Sequence, residues 1–184
     1  MQEIEIKFKI DNRDDLIKRL SDLGCTFDKE MRQKDIIFVK DLNHVESKEG
    51  SIFVRIREQN DKKILTLKKQ SKVVMQNKEI EFEISDSVKA RDFIETLGLR
   101  EWVTVEKIRL ETSYKQYNFC IDQVKRLGDF VEIEILSEEE NKTEEFEKEI
   151  LSLAQSLNID TNQRINNFYD NMIHELNEKE KNNA

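Results

Sequence analysis

Short stretches in which charged and apolar residues alternate one by one recur along most of the chain. In the first of them, Glu3, Glu5 and Lys7 alternate with isoleucines and Phe8. Side chains of a strand point alternately to opposite faces, so each such stretch would form a strand with one charged and one apolar face. Successive charged side chains on one face would stand about 7 Å apart, given a rise of roughly 3.3 Å per residue. The chain is thereby restricted to folds built from two-faced strands.

The same alternation recurs at residues 53–57, 66–68, 79–84, 107–111, 118–122 and 131–135. One such stretch alone would fit any surface strand with a solvated face. Repetition on this scale predicts roughly eight strands, and strands that follow one another directly favour an antiparallel sheet closed into a barrel. With a few helices packed outside the sheet, the predicted fold class is α+β.

A helix is predicted after the first strand, where Asp11 or Asn12 can cap its start and Gly24 marks its end. Residues 79–98 repeat this order of strand and helix, including a second Leu-Gly ending. The repetition predicts an internal duplication. We expect a single domain over residues 1–177, with halves of about 1–75 and 76–136, then helices near 143–157 and 164–176, and a frayed tail at 178–184.

Amphipathic helices need an apolar surface to cover, and the apolar faces of the strands supply it. In a closed sheet, the charged faces would then line the inside. A dry interior would cost on the order of tens of kcal/mol per unpaired ion in idealised transfer, so we expect a hydrated channel suited to a polyanion and its metal. The alternative is an open sheet whose charged face meets solvent in ordinary salt-bridge ladders. The predicted lining residues are Glu3, Glu5, Lys7, Arg55, Arg57, Lys68, Glu81, Lys107, Arg109, Asp122, Glu132 and Glu134.

Composition limits the classes of partner. The 184 residues carry 31 basic and 39 acidic side chains, a net charge of −8, which argues against nucleic acid as a partner because such binding needs a basic footprint. Cys25 and Cys120 lack the close spacing of a zinc site and are expected to be reduced thiols of a cytoplasmic protein. No apolar run approaches the ~20 residues of a membrane-spanning helix, so no membrane association is expected. Without a glycine-rich loop, side chains would have to hold any phosphate.

The N-terminal Glu3-Ile4-Glu5-Ile6-Lys7 resembles the Glu-x-Glu-x-Lys motif of the CYTH superfamily, the triphosphate tunnel metalloenzymes. The resemblance extends over nearly the whole chain. Further segments fall in the order of the family, namely Val54–Arg57, Leu67–Lys68, Glu79–Glu81, Glu106–Arg109, Asp122 and Leu127–Glu134. The last of these, together with Thr96-Leu97-Gly98, is most similar to the class IV adenylyl cyclase branch.

This resemblance implies an eight-stranded antiparallel tunnel that binds triphosphates with Mg²⁺ or Mn²⁺. The metal ligands it implies are Glu3, Glu5, Glu81, Asp122, Glu132 and Glu134. The phosphate-binding residues it implies are Lys7, Arg55, Arg57, Lys68, Lys107 and Arg109, since arginine suits two oxygens of one phosphate and lysine supplies a point charge. The catalytic residues are expected among Lys7, Lys68, Lys107, Arg109 and Asp122.

Three activities are compatible with these residues. The first is conversion of ATP, a nucleoside triphosphate, to cyclic AMP and pyrophosphate. The second is hydrolysis of inorganic or thiamine triphosphate at its terminal phosphate, and it stays open because Lys69-Gln70-Ser71 follows Lys68 where cyclase relatives often have glycine and proline. The third is non-catalytic binding of a nucleotide or polyphosphate. The sequence is compatible with a homodimer and does not fix the oligomeric state.

Overall fold

A computed structural model describes residues 2–41, 51–69, 78–138 and 142–183, apart from the side chains of residues 2, 3 and 78. In these residues it contains nine strands, four α-helices and a short 3-10 helix. The strands are β1 Gln2–Ile10, β2 Met31–Val39, β3 Ile52–Gln59, β4 Lys62–Lys69, β5 Lys78–Glu83, β6 Arg100–Tyr114, β7 Tyr117–Val124, β8 Gly128–Ser137 and β9 Arg164–Ile165. The helices are α1 Arg13–Asp22, α2 Ser87–Thr96, α3 Thr143–Ser156 and α4 Tyr169–Asn182, and the 3-10 helix is Thr161–Gln163.

The chain divides into two compact units. The first unit comprises Met1–Met31 and Lys107–Phe168, and the second comprises Arg32–Glu106 and Tyr169–Ala184. Strand β6 contributes residues to both units. Each unit contains antiparallel strands and at least one helix that buries apolar side chains.

In the first unit, the antiparallel strands lie in the order β6, β7, β8, β1, β9. Alternate residues of these strands, such as Ile6, Phe119 and Ile133, form an apolar face that is almost wholly buried. Helices α1 and α3 supply further members of the same core, including Leu20 and Ile150. The charged residues between these positions therefore lie on the opposite face, as the sequence predicts.

Helices α1 and α2 have the same terminal chemistry. Asn12 accepts hydrogen bonds from the backbone N–H groups of residues 14 and 15, and Asp86 accepts them from those of residues 88 and 89. Gly24 and Gly98 follow the helix ends with φ of +85° and +86°, a left-handed conformation that costs glycine least. The predicted start and end of α1 and the predicted Leu-Gly end of α2 are confirmed. The internal duplication stays a prediction.

In the second unit, the antiparallel strands lie in the order β2, β3, β4, β5. Their buried apolar face includes Ile36, Phe38, Val54 and Ile56, and α2 packs against it through Ile94. The other face carries Arg55, Arg57 and Lys68 together with the glutamates of β5. Both units thus place apolar side chains under helices and charged side chains on the reverse side of the strands.

The predicted closed barrel of eight strands is wrong for the residues described. Strand β1 pairs with β8 along one edge, and β9 takes its other edge through Lys7↔Ile165 and Phe8↔Arg164. Among the described residues of the first unit, no other strand pairs with that edge of β1. In the second unit, β5 pairs with β4 along one edge, and the described strands of neither unit form a closed ring. The α+β class, with extensive antiparallel pairing and four α-helices, is confirmed.

Helix α4 continues through residues that we expected to fray. It buries Tyr169 and Ile173, and near its end Lys181 contacts Glu178, with 2.7 Å between Nζ and Oε1. Lysines in the last turn also suit the negative end of a helix dipole. None of the described helices combines the length and the apolar character that crossing a membrane requires.

We expect Ile133→Ala to lower the free energy of unfolding by about 2–5 kcal/mol, because it leaves a cavity in a closely packed core. Ile133 has no exposed surface, whereas Leu136 on the same strand is 52% exposed. Leu136→Ala is the control and should change stability by about 0.5 kcal/mol or less. Urea unfolding followed by circular dichroism measures both, and equal losses would contradict the assigned faces of β8.

Candidate functional site

Five charged side chains of the first unit form one continuous network of ion pairs. Lys7 on β1 contacts Glu132 on β8, with 3.1 Å between Nζ and Oε1. Arg109 on β6 bridges Glu132 and Asp122, and its Nη2 lies 2.6 Å from Oδ2 of Asp122. Lys107 completes the network, with its Nζ 2.9 Å from the same oxygen. Four neighbouring strands thus each contribute to a network in which cations and carboxylates alternate.

Asp122 is the buried centre of this network and has no exposed surface. Its Oδ1 accepts a hydrogen bond from Nε of Arg109, and its Oδ2 accepts bonds from Arg109 and Lys107. Burial alone would raise the pKa of this carboxyl, but the bonds and charges of the two cations outweigh burial and lower the pKa. The carboxylate therefore stays ionised and holds both cations in place.

The two cations respond differently to the same surroundings. Burial opposes the charge of Arg109, but hydrogen bonds to Asp122 and the charges of Asp122 and Glu132 raise its pKa overall. Burial lowers the pKa of Lys107, and the attraction of Asp122 compensates only in part. A further anion near Lys107 would favour its charged form.

Beside this network, Cys120 on β7 and the β8 residues Glu132 and Glu134 place three metal-ligating atoms within 4.8 Å of one another. The two glutamates are two residues apart and share a face of the strand. A divalent cation between such acids would replace repulsion by attraction, and carboxylate oxygens are the ligands that Mg²⁺ and Mn²⁺ prefer. The chemistry of this donor set fits the predicted metal.

The second unit carries two arginines of the predicted site on β3. Arg57 binds Asp35 with both prongs of its guanidinium group, at 2.7 Å from Nε to Oδ1 and 2.6 Å from Nη2 to Oδ2. Nη2 of Arg55 lies 3.3 Å from Oγ1 of Thr66 and 3.6 Å from Oε2 of Glu81. The hydroxyl of Thr66 in turn donates to Glu81 at 2.8 Å. These pairs hold the arginines extended across the charged face of β2–β5.

Nearby carboxylates balance the positive charge of Arg55 less well than that of Arg57. Burial, followed by the charge of Arg57, lowers the pKa of Arg55, although Asp35 and the glutamates of β5 oppose this shift. Its Nε is buried without a hydrogen-bond partner among the residues described. On the next strand, Lys68 lies 3.2 Å from Glu79, and both side chains are partly exposed. Arg55 therefore keeps one buried donor without an acceptor among the described residues.

The structure brings predicted site residues together within each unit. In the first unit these are Lys7, Lys107, Arg109, Asp122, Glu132 and Glu134. Glu5 pairs with Glu134 in the register of β1 and β8, and its side chain is exposed. Glu3 pairs with Leu136 through its backbone, and its side chain lies outside the described part of the chain. In the second unit the residues on one face are Arg55, Arg57, Lys68 and Glu81. A channel lined by both sets stays a prediction.

Four residues that contact the predicted site residues were not themselves predicted as site residues, namely Asp35, Thr66, Glu79 and Cys120. Asp35 lies on β2, where the following residues 36–39 are apolar on both faces and hide the alternation. In a pattern of charged and apolar residues, Cys120 counts as a small apolar residue. The signal that could have identified it is its place midway between Asn118 and Asp122, at strand spacing.

We expect Asp122→Asn to lower the free energy of unfolding by about 3–5 kcal/mol near neutral pH, because it leaves two buried cations without their carboxylate. The pKa of Asp122 is lower in the folded state, so its stabilisation is fully present above its unfolded value of 3.8 and declines as pH falls through the folded value. The difference between wild type and variant should therefore shrink below about pH 3.8.

Urea unfolding at pH 7 and across the acid range measures this effect. The exposed Asp92 on α2 provides the control, since Asp92→Asn should change stability by about 0.5 kcal/mol or less. A neutral-pH loss for Asp122→Asn no larger than that of the control would show that the buried carboxylate does not hold the network together.

Comparisons with known proteins agree on one family. The CYTH domain model matches residues 1–169. The "Putative adenylate cyclase MJ0240" of Methanocaldococcus jannaschii is 32% identical over 173 residues, covering 92% of this chain and 97% of that protein. A solved structure of a conserved hypothetical protein from Pyrococcus furiosus is 28% identical with a TM-score of 0.72, covering 92% of this chain and 99% of that one.

A more distant structure shares the fold. HpAC1 from Hippeastrum, described as a "putative adenylyl cyclase" with a dominant triphosphatase activity, is 19% identical with a TM-score of 0.58, covering 86% of this chain and 89% of that one. The N-terminal Glu-x-Glu-x-Lys motif agrees with three findings. These are the family match over most of the chain, the identity to the archaeal protein and the paired charged strands. The chain belongs to the CYTH domain family.

Proposed function

We propose that this protein is a metal-dependent enzyme that acts on a triphosphate, and that its principal reaction is conversion of ATP to cyclic AMP and pyrophosphate. The observation that carries the proposal lies within the first unit. There, the cations Lys7, Lys107 and Arg109 are largely buried and lie on the same face of the paired strands as the carboxylates of Glu132 and Glu134. Cations for phosphate oxygens beside carboxylates for a metal are what a metal–triphosphate complex requires.

Glu132 and Glu134 would hold the metal, which we expect to be Mg²⁺ or Mn²⁺. When bound, such a cation neutralises phosphate charge and lowers the pKa of a coordinated hydroxyl or water. Glu5 stands opposite Glu134 in the strand register and is a further candidate ligand. Metal roles for Glu3 and Glu81 belong to the same proposal and rest on the family motif.

Arg109 and Lys107 would bind the phosphates. A guanidinium group suits two oxygens of one phosphate, and an ammonium supplies a point charge. Both oxygens of Asp122 are engaged by these two cations. We therefore propose that Asp122 orients the cations, so that a phosphate meets groups that are already in position. The metal role predicted for Asp122 stays a prediction.

The cations of the second unit are proposed to bind phosphate as well. Arg55 combines a lowered pKa with a buried Nε that has no hydrogen-bond partner among the described residues. Arg57 and Lys68 are paired with Asp35 and Glu79. A triphosphate would have to compete with these carboxylates, which favours multiply charged ligands over a single phosphate.

In the cyclase reaction, the ribose 3′-hydroxyl attacks the α-phosphorus and pyrophosphate leaves. The cations would stabilise the charge that develops on the leaving pyrophosphate, so positioning and electrostatics would supply most of the acceleration. Two observations support this reaction: the chain is 32% identical to a protein named a putative adenylate cyclase, and Leu127–Glu134 resembles the class IV branch.

A triphosphatase is the second candidate. In that reaction water attacks the terminal phosphorus of inorganic or thiamine triphosphate, and orthophosphate leaves. Its support is the Lys69-Gln70-Ser71 segment, which departs from the usual cyclase sequence after Lys68. HpAC1, which shares this fold, is called a putative adenylyl cyclase and is described as having a dominant triphosphatase activity.

Product analysis tests the proposal. We expect purified protein with Mn²⁺ to convert ATP to equimolar cyclic AMP and pyrophosphate. Orthophosphate from tripolyphosphate or thiamine triphosphate, without a cyclic product from ATP, would select the triphosphatase. Tight binding with every substrate recovered intact would contradict both reactions and leave the non-catalytic role. Each reaction is run with Mg²⁺ and with Mn²⁺, and with a chelator as the control.

Lys68 and Lys69 form a matched pair on β4. Lys68 lies on the charged face beside Glu79, and Lys69 is exposed on the other face. We expect Lys68→Ala to reduce kcat/KM by about 10²-fold or more, because it removes a positioned cation from the transition state. Lys69→Ala should retain nearly full activity. The reverse result would mean that the faces of this strand are wrongly assigned.

A further inference from the structure

Cys120 lies on the charged side of the first unit. Its side chain is 7% exposed, its sulfur is in no disulfide, and it shares a strand face with Asn118 and Asp122. Its register partner on β8 is Glu132, and its register partner on β6 is Glu111. The thiol is therefore surrounded by charged groups on the two neighbouring strands.

The distances around the sulfur match those between ligands of one metal ion. An ion held about 2.3 Å from sulfur and about 2.1 Å from oxygen keeps these two atoms about 3.6 Å apart in tetrahedral geometry. The Sγ atom of Cys120 lies 3.5 Å from Oε1 of Glu134. Glu132 supplies a third ligating atom, and all three lie within 4.8 Å of one another. Both oxygens of Glu132 also contact cations, Lys7 and Arg109, so a bound metal ion would share this carboxylate with them.

The local charge also favours a cation. Glu111 and Glu134 both approach the sulfur, at 3.9 Å and 3.5 Å. Burial raises the pKa of the Cys120 thiol strongly; Arg109 opposes this, while Glu134, Glu111 and Glu132 add to it. A divalent cation would stabilise a thiolate and the neighbouring carboxylates together.

We propose that Cys120 is a ligand of the metal centre together with Glu134 and Glu132, and that the centre therefore binds thiophilic divalent cations such as Zn²⁺, Co²⁺ and Cd²⁺. The inference rests on the proposed metal role of the two glutamates and adds a sulfur ligand to it. Binding replaces the S–H bond by a metal–sulfur bond, so Cys–SH and M²⁺ give Cys–S–M⁺ and one released proton. Thiolate ligands favour these softer cations, whereas Mg²⁺ and Mn²⁺ gain little from sulfur.

Titration of the full-length, metal-free protein with Co²⁺ tests the inference directly. A cobalt–thiolate bond produces a charge-transfer absorption in the near ultraviolet that carboxylates cannot produce. We expect this band to saturate at one Co²⁺ per chain and one proton to be released per cation. Cys25→Ser is the matched control, because Cys25 is the other cysteine of the chain, and it should retain the band.

Cys120→Ser should abolish the band and weaken Cd²⁺ binding by about tenfold or more, with a much smaller effect on Mn²⁺ binding measured by electron paramagnetic resonance. Circular dichroism checks that the variant is folded. Glu134→Gln provides a second variant that keeps the thiol, and it should shift the Co²⁺ titration to higher concentration. A band that persists in Cys120→Ser, or wild-type protein that binds Co²⁺ without the band, would overturn the proposal.

The spectroscopic result is independent of turnover. If no triphosphate is converted but the band appears as expected, the proposed enzymatic function fails and the sulfur ligand stands. If turnover is present but the band is absent with Co²⁺ bound, the assignment of Cys120 alone fails.

Discussion

Opposite charges that are buried on one face of a sheet must neutralise one another, and the first unit depends on this constraint. Asp122 has no exposed surface and holds Lys107 and Arg109 with both of its oxygens. Glu132 continues the network to Lys7. Because each member is satisfied by a member of opposite sign, cations that would be too costly to bury alone can stand close together. This clustering is what makes the face suitable for a polyanion.

The pairing also explains why an open arrangement of strands can carry so much charge. An open sheet with solvated salt-bridge ladders is the alternative to a closed channel. The described strands of each unit are indeed open, yet the ion pairs of the first unit are largely buried. In the second unit, the pair of Lys68 and Glu79 is partly exposed, as a surface ladder would be. Buried pairs and exposed pairs therefore coexist on faces with the same sequence pattern.

Much of the local structure follows from the sequence alone. Alternation assigns the two faces of β1, β3, β4, β6, β7 and β8, and the caps at Asn12 and Asp86 fix the starts of α1 and α2. The closed barrel was wrong for the described residues, in which the second edge of β1 pairs only with the two residues of β9. So short a strand leaves no alternation to detect. Its pairing depends on where residues 164–165 return to the sheet, which is a tertiary property.

The sequence predicts which charged residues form the candidate site, but it does not predict which residues they contact. The sequence places Arg57 on a charged face, but its two-pronged contact with Asp35 depends on the register of β2 and β3. Likewise, Cys120 has no ligand-like spacing along the chain, and it meets Glu132 and Glu134 across neighbouring strands. Contacts between neighbouring strands are set by register, which single-strand patterns do not specify.

A crystal structure with Mn²⁺ and a non-hydrolysable ATP analogue would locate the metal and the phosphates. We expect an anomalous manganese peak at the carboxylates of Glu132 and Glu134, with phosphate oxygens within hydrogen-bonding distance of Lys107 and Arg109. If the analogue and the manganese bound away from these four side chains, the buried network of the first unit would not be the triphosphate site.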